Sequence, residues 1–210
     1  MRSQRVAAIE NYMDAGAPSW SSVGAQSITM IPAPLPMQPN PYIQKSWKNR
    51  PYGLANQLFV ACVHDGRRAA FRLRWHSASK TLAQGEDFPD GVAIALPVRG
   101  DPPLILMGTP DEPIHILLWQ AGLPEPRSLL ATGIGSSRSG PSVGASVHAH
   151  WADGRWALVV TRDLSSGVDI APLEAGGATR VGFALWNGAN KERAGIKAVS
   201  GDWTTLTLDR

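Results

Sequence analysis

A chain of 210 residues with 43% hydrophobic and 18% charged side chains carries enough apolar mass for one sizeable core, and a single domain over 1–210 is expected. Its formal charge of +3 arises from 20 basic and 17 acidic side chains spread along the sequence, without the clustered basic stripe that marks a nucleic-acid binder. No uninterrupted apolar stretch approaches the ~18 residues of a membrane span, so no transmembrane segment is expected.

Seventeen prolines and 21 glycines interrupt the sequence too often for many helices of ordinary length, which favours short strands. The first twenty residues contain Arg2, Arg5, Glu10 and Asp14 but no continuous apolar region of secretory-signal length. The proline-rich stretch 31–51 is broken by Tyr42, Ile43 and Trp47. It reads as an ordered, irregular edge wrapped around the fold, so an irregular segment is expected over about residues 1–50. Leu58 to Val63 is an apolar run holding Cys62, the sole cysteine, which excludes an internal disulfide and reads as a small buried hydrophobe. Phe71, Leu73 and Trp75 then alternate with Arg72 and Arg74, the period of a half-buried strand.

Phe88 to Val98 is a second apolar segment, followed by Leu104-Ile-Leu-Met107, which is expected to be a strand ended by Gly108 and Pro110 with the thioether at a sheet margin. The Gly/Ser-rich stretch 132–146 contains Gly133-Ile-Gly135 without the Gly-Lys-Ser/Thr ending of a phosphate loop, and it reads as a mobile loop. Asp153-Gly154 lies between strand-like Ser146 to Trp151 and Arg155 to Arg162, where a two-residue turn with positive φ at both positions predicts a hairpin. Val181, Phe183 and Leu185 alternate with Gly182, Ala184 and Trp186 in another strand, and Thr204 to Leu208 forms the last. Together these elements predict an all-β fold, an antiparallel β-sandwich with few short helices and long connecting loops.

Few residues declare a chemistry of their own. His148 and His150 lie two apart on one strand face and could share a metal, yet no third ligand is evident nearby. His64, His76 and His115 are scattered, and neither a nucleophile motif nor an acid/base carboxylate pair stands out. Taken alone, Met107 reads as a core filler and Lys197 as a solvated charge. The eight tryptophans read as core or sheet-face residues, although some could stack on sugar rings, which keeps a carbohydrate-binding module without redox cofactor as the alternative function.

The blocks Phe88 to Val98, Leu104 to Trp119, Trp151 to Arg162 and Val181 to Trp203, taken in this order and spacing, resemble the haem b-binding gamma subunit of the ethylbenzene dehydrogenase type of molybdenum oxidoreductase. The resemblance implies one haem b whose iron is bound by Met107 on one side and Lys197 on the other. It also implies an electron-transfer role without catalysis by this chain. The expected setting is a heterotrimer in which an alpha subunit carries the molybdenum cofactor and an iron-sulfur beta subunit passes electrons, with a cytochrome or similar external carrier beyond. No Cys-x-x-Cys-His motif is present, so the haem is expected to be non-covalent. Exported relatives place the complex in the periplasm, and co-export with a signal-bearing partner is expected here, a cytoplasmic location remaining the other option.

Overall fold

The computed structural model describes residues 1–85 and 88–210. In chain order its strands are β1 (Arg2–Arg5), β2 (Gln26–Thr29), β3 (Ile31–Pro32), β4 (Gln57–His64), β5 (Arg68–His76), β6 (Gly91–Pro97) and β7 (Ile114–Gln120). There follow β8 (Arg127–Ala131), β9 (Arg138–Ser139), β10 (Ser146–Ala152), β11 (Arg155–Asp163), β12 (Ala178–Trp186), β13 (Ala198–Val199) and β14 (Thr204–Leu208). The one α-helix among the described residues is α1 (Pro41–Trp47), started by Asn40, whose side-chain oxygen accepts from the N–H groups of Tyr42 and Ile43. No helix of the described residues is long and apolar enough to cross a membrane.

Two sheets face each other and share one strand. The first runs β10-β11-β5-β4-β1-β14-β12, and the second runs β3-β13-β12-β6-β7-β8-β9. Residues Ala178 to Val181 of β12 pair with β14, whereas Gly182 to Trp186 pair with β6, so the strand passes from one sheet to the other. The predicted β-sandwich is therefore observed, all-β and largely antiparallel. β1 is the exception, because it lies parallel to both β4 and β14 in the middle of the first sheet. The expected irregular segment 1–50 thus contributes a central strand, two edge strands and a helix, a role its short polar tetrapeptide Arg2–Arg5 does not announce. The Asp153-Gly154 hairpin forms as predicted, with φ of 50° and 70° at its two turn residues.

Between the sheets the inward side chains of every long strand meet in one core, including Phe71, Leu73, Ile94, Leu117, Leu158 and Phe183. Trp156 stands at its centre, stacked 6.2 Å from Trp75 and edge-on 5.1 Å from Trp119, pairs that add about 0.5–1.5 kcal/mol each beyond area burial. The Trp156 indole N–H donates to Asp90, a fully buried carboxylate that also accepts from Ser77 Oγ and from the N–H groups of Thr81 and Gly188. Asp90 thereby ties the end of β5, the start of β6 and the loop after β12 together. Cys62 is buried in the same core, which pushes its thiol up to about 12 and makes it a packing residue as expected.

The outer faces of both sheets are apolar and covered. On the first, Ala61, Val63, Ala70 and Val159 are closed over by Ile9, Val23 and above all Trp20, which is 1% exposed and lies under the Arg72 guanidinium at 4.9 Å. On the second, β6 is buried on both sides along its whole length: Val92, Ile94 and Leu96 point into the sandwich while Ala93 and Ala95 point out. Strands buried on both faces read as continuous rather than alternating apolar runs, which is the pattern of residues 91–98.

Candidate functional site

The outer face of the second sheet floors a cavity of about 330 Å³, within the ~300–1,000 Å³ range of small-molecule and cofactor sites. Its floor is built from small and branched residues, Ala93 and Ala95 of β6, Ile114 and Ile116 of β7 and Ala184 of β12. Small side chains there leave a flat, shallow bed. Four segments make the walls: the strap 33–43, the turn around Met107, residues 134–137 of the Gly/Ser-rich loop, and the loop 194–197. The polar residues of the lining are few, namely Gln38, Asn40, Ser137 and Lys197.

Met107 enters from one wall, although not from a strand. Leu104–Leu106 is a single 3-10 turn, and Met107 caps it in the left-handed region at φ 59°, so the expected strand over 104–107 is corrected to a helical turn. Pro103 and Gly108 explain the difference. The proline opens the turn, and Gly108 at φ 82° brings the backbone so near β7 and β8 that a Cβ would lie 2.9 Å from Glu112 O and 3.0 Å from Ala131 O. A non-glycine residue in the left-handed region costs about 1–3 kcal/mol and persists only where its surroundings hold it. Here Met107 N donates to Leu104 O at 2.9 Å, and Met107 O accepts from Gly133 N at 3.0 Å. The Gly/Ser-rich loop is thereby tied to the methionine.

Lys197 enters on the loop that follows β12. The loop is anchored by Glu192, 2% exposed, whose carboxylate accepts from the N–H groups of Gly53 and Asn187 and from Asn190 Nδ2. Lys197 O accepts from Ala33 N at 2.9 Å, which joins the loop to the strap. The amine reaches into the cavity with its Nζ 5.2 Å from the Trp186 ring centroid, and Trp186 is held by donating its indole N–H to Ala194 O. Burial among apolar groups lowers the lysine pKa to about 8, because desolvation penalises the ammonium form.

The two residues meet across the cavity. Lys197 Nζ lies 3.9 Å from Met107 Sδ, ninety positions apart in sequence. Bonds from a first-row metal to sulfur and to nitrogen are about 2.3 and 2.1 Å, so one ion between such donors would hold them roughly 4.4 Å apart. The observed separation needs only a small outward movement to admit it. A soft neutral thioether and an amine whose pKa is lowered by burial, close together over an apolar floor, could hold a metal between them.

The other sequence candidates lie elsewhere. His148 and His150 are exposed on the edge strand β10, and among the described residues no group of three or more His, Cys, Asp or Glu could hold a metal. His115 points into the sandwich, away from the cavity, where Nε2 lies 2.8 Å from Ser128 Oγ and burial lowers its pKa to about 4. Of the eight tryptophans, five are buried, and Trp186 alone lines the cavity. The strap residues and the loop 134–137 carry no mark of a site in the sequence, and neither do the outward alanines Ala93 and Ala95 taken singly. The doubly buried run of β6 was the available signal.

Comparison with known proteins gives an independent line. The sequence pattern of the ethylbenzene dehydrogenase family matches residues 17–144 and 134–198. A Haloferax mediterranei protein, provisionally named a respiratory nitrate reductase heme subunit (ORF7), is 30% identical over 191 residues, covering 88% of this chain and 64% of that protein. The chlorate reductase subunit gamma of Ideonella dechloratans is 32% identical over 71% of this chain and 64% of its own. The dimethylsulfide dehydrogenase subunit gamma of Rhodovulum sulfidophilum is 31% identical, covering 88% of this chain and 71% of its own. The chain thus spans somewhat under two thirds of the length of the first two. Among solved structures, a family 9 carbohydrate-binding module from Caldicellulosiruptor kristjanssonii in complex with glucose superposes with a TM-score of 0.56 at 10% identity, over 100% of this chain and 96% of the module. That likeness concerns the fold alone.

Proposed function

We propose, from the premise that this chain belongs to the ethylbenzene dehydrogenase family, that it binds haem between Met107 and Lys197 and serves as the electron-transfer gamma subunit of a molybdenum oxidoreductase. The observation that carries the reading is the 3.9 Å approach of the two donors over an apolar floor. Relatives named as a heme subunit and as gamma subunits of a reductase and a dehydrogenase support it.

When bound, haem supplies a one-electron iron couple. The chain's own residues decide how that couple is used. Met107 presents a thioether, which favours ferrous iron and so raises the potential. Lys197 presents an amine whose proton is already loosened by burial, which reduces the cost of coordination. A haem held by both Met107 and Lys197 would offer no position to substrate or oxygen, which leaves this chain a role in electron transfer rather than catalysis. The partners on this reading are an iron-sulfur subunit, a molybdenum-containing subunit and an external carrier. The group is expected to be haem b, one per chain and non-covalent, because no Cys-x-x-Cys-His motif offers thioether links.

A sugar suits this cavity poorly. Its hydroxyls would need a dense set of partners, and each unpaired one would cost about 1–3 kcal/mol on burial, whereas among the described residues the walls offer four polar side chains. The decisive experiment is the absorption spectrum of the purified chain after titration with haem. A Soret band with low-spin visible bands, removed by acid-acetone, is expected; no band at stoichiometric haem refutes the assignment.

A further inference from the structure

Resting on the haem reading, the structure also indicates which way round the ligand sits. Haem is a disc with apolar edges except for one, which bears two carboxylates. Burying that edge against alkyl groups would cost far more than burying the others. The polar groups of the cavity are distributed just as unevenly. Apart from Lys197, they are Gln38 and Asn40 on the strap and Ser137 on the Gly/Ser-rich loop, and these two segments meet at one side of the cavity. Gly135 and Pro39 mark the meeting point, since a Cβ on Gly135 would lie 3.7 Å from Pro39 Cγ.

Gln38 is the residue that needs an explanation. It is 7% exposed, yet its side-chain amide has no hydrogen-bond partner among the described residues, although its backbone carbonyl accepts from Gln44 Nε2 at 2.6 Å. The amide is nevertheless not sealed off: it is not among the buried unpartnered side-chain atoms, and the residue lines the cavity, so the amide remains open to a ligand there. The amide also borders the loop that carries Lys197. It lies flat against Gly195, where a Cβ would come within 2.1 Å of both its nitrogen and its oxygen, so the absence of a side chain at 195 makes room for it beside the loop that carries Lys197. Asn40 and Ser137, on the two segments that approach each other at Pro39 and Gly135, are exposed, and the Asn40 side-chain oxygen caps α1.

We propose that the carboxylate edge of the porphyrin is seated where the strap 33–43 meets the loop 134–137, with Gln38 Nε2–H donating to one carboxylate from within the cavity and Asn40 and Ser137 reaching the same edge from the rim. The apolar edges then lie over Ala93, Ala95 and Ala184, and rotation of the disc about its axis is fixed. A hydrogen bond to a charged acceptor of this kind is worth about 1.5–3 kcal/mol, which corresponds to a tenfold or greater change in affinity.

The test compares haem with its dimethyl ester, whose two carboxylates are capped, in binding to the wild-type chain, to Gln38→Leu and to Gln38→Glu. Affinities are read by Soret titration and by the rate of transfer to an acceptor apoprotein. Gln38→Leu is expected to weaken haem about tenfold or more and the diester distinctly less, because the ester carbonyls accept only a weaker neutral bond. Gln38→Glu places like charges together and is expected to weaken haem further, with no such added loss for the diester. Equal weakening of both porphyrins by Gln38→Leu would show that the amide supports packing or Lys197 instead, and would overturn the proposal. Unchanged haem affinity in both variants overturns it as well. If the wild-type chain binds the diester but not haem, the edge is not received by donors and the orientation is wrong. If it binds neither, the haem reading itself fails and this inference falls with it.

Discussion

The two outer faces of the sandwich start from the same problem and solve it differently. Each sheet carries a bed of small residues on the side away from the core, Ala61 and Ala70 on the first and Ala93, Ala95 and Ala184 on the second. On the first face the chain fills its own space. Trp20 drops onto the alanines, donates its indole N–H to Asp14 O, meets Tyr12 edge-on at 5.1 Å and is roofed by Arg72. On the second face four segments arch over the bed and leave about 330 Å³ between them, with a thioether and an amine aimed into it. Protein interiors are close-packed, so the closed packing of the first face and the cavity of the second separate a structural face from one able to receive a ligand.

The largest effects should come from crossing the two faces. Trp20→Ala removes a fully buried indole and is expected to cost about 3–5 kcal/mol of stability, measured by denaturant unfolding, while the folded protein keeps its low-spin haem spectrum. Lys197→Ala should do the reverse, taking away one of the two proposed iron donors so that bound haem would turn high-spin, with little loss of stability in the haem-free chain because a poorly solvated amine has gone. Met107→Ala should act on the same face by lowering the haem potential. Low-spin spectra that survive both ligand substitutions would move the iron donors elsewhere. His115 is not the replacement, since it faces the sandwich interior.

How much of this contrast the sequence disclosed depends on whether the determining contact is local. The strands of the first sheet were legible because Phe71, Leu73 and Trp75 alternate with arginines, and the 153–154 turn was legible because Asp-Gly demands one backbone shape. β1 was not, for a tetrapeptide with two arginines carries no strand period, and its place is set by pairing with β4 and β14 far along the chain. Met107 and Lys197 were named only through family resemblance, because nothing in either neighbourhood tells of a partner ninety residues away. Met107 was also assigned to a strand, since an apolar run ending in glycine looks the same whether it extends or turns, and Pro103 decided the matter. Gln38 had no signal at all, as a glutamine in a proline-rich stretch normally faces water.

A middle-sized effect sharpens the difference between a filled and an unfilled bed. Ala95→Leu adds three carbon atoms to the floor of the cavity, where space exists, so the haem-free chain should hold or gain stability while haem affinity falls by tenfold or more. Ala70→Leu adds the same atoms beneath the Trp20 cover, where no such space is present, and overpacking should cost about 1–3 kcal/mol with no direct effect on haem. Equal destabilisation by both substitutions would mean that the cavity closes in the haem-free chain and that the two faces are not different in kind.

The smallest effect is a pH dependence that belongs to the second face. Desolvation lowers the Lys197 pKa from 10.5 to about 8 in the folded chain, so the folded state releases its proton before the unfolded state does. Below about pH 8 both states are protonated and the burial cost is constant. Between about 8 and 10.5 the unfolded chain binds more protons, and stability must rise with pH over that window. Other groups titrate there too, so the quantity to follow is the difference in unfolding free energy between the haem-free wild-type chain and Lys197→Met. That difference should be flat up to about pH 8 and then move in favour of the wild type. A difference that stays level through pH 10 would show that the amine is solvated in the haem-free chain, and that it enters the cavity only when iron draws it in.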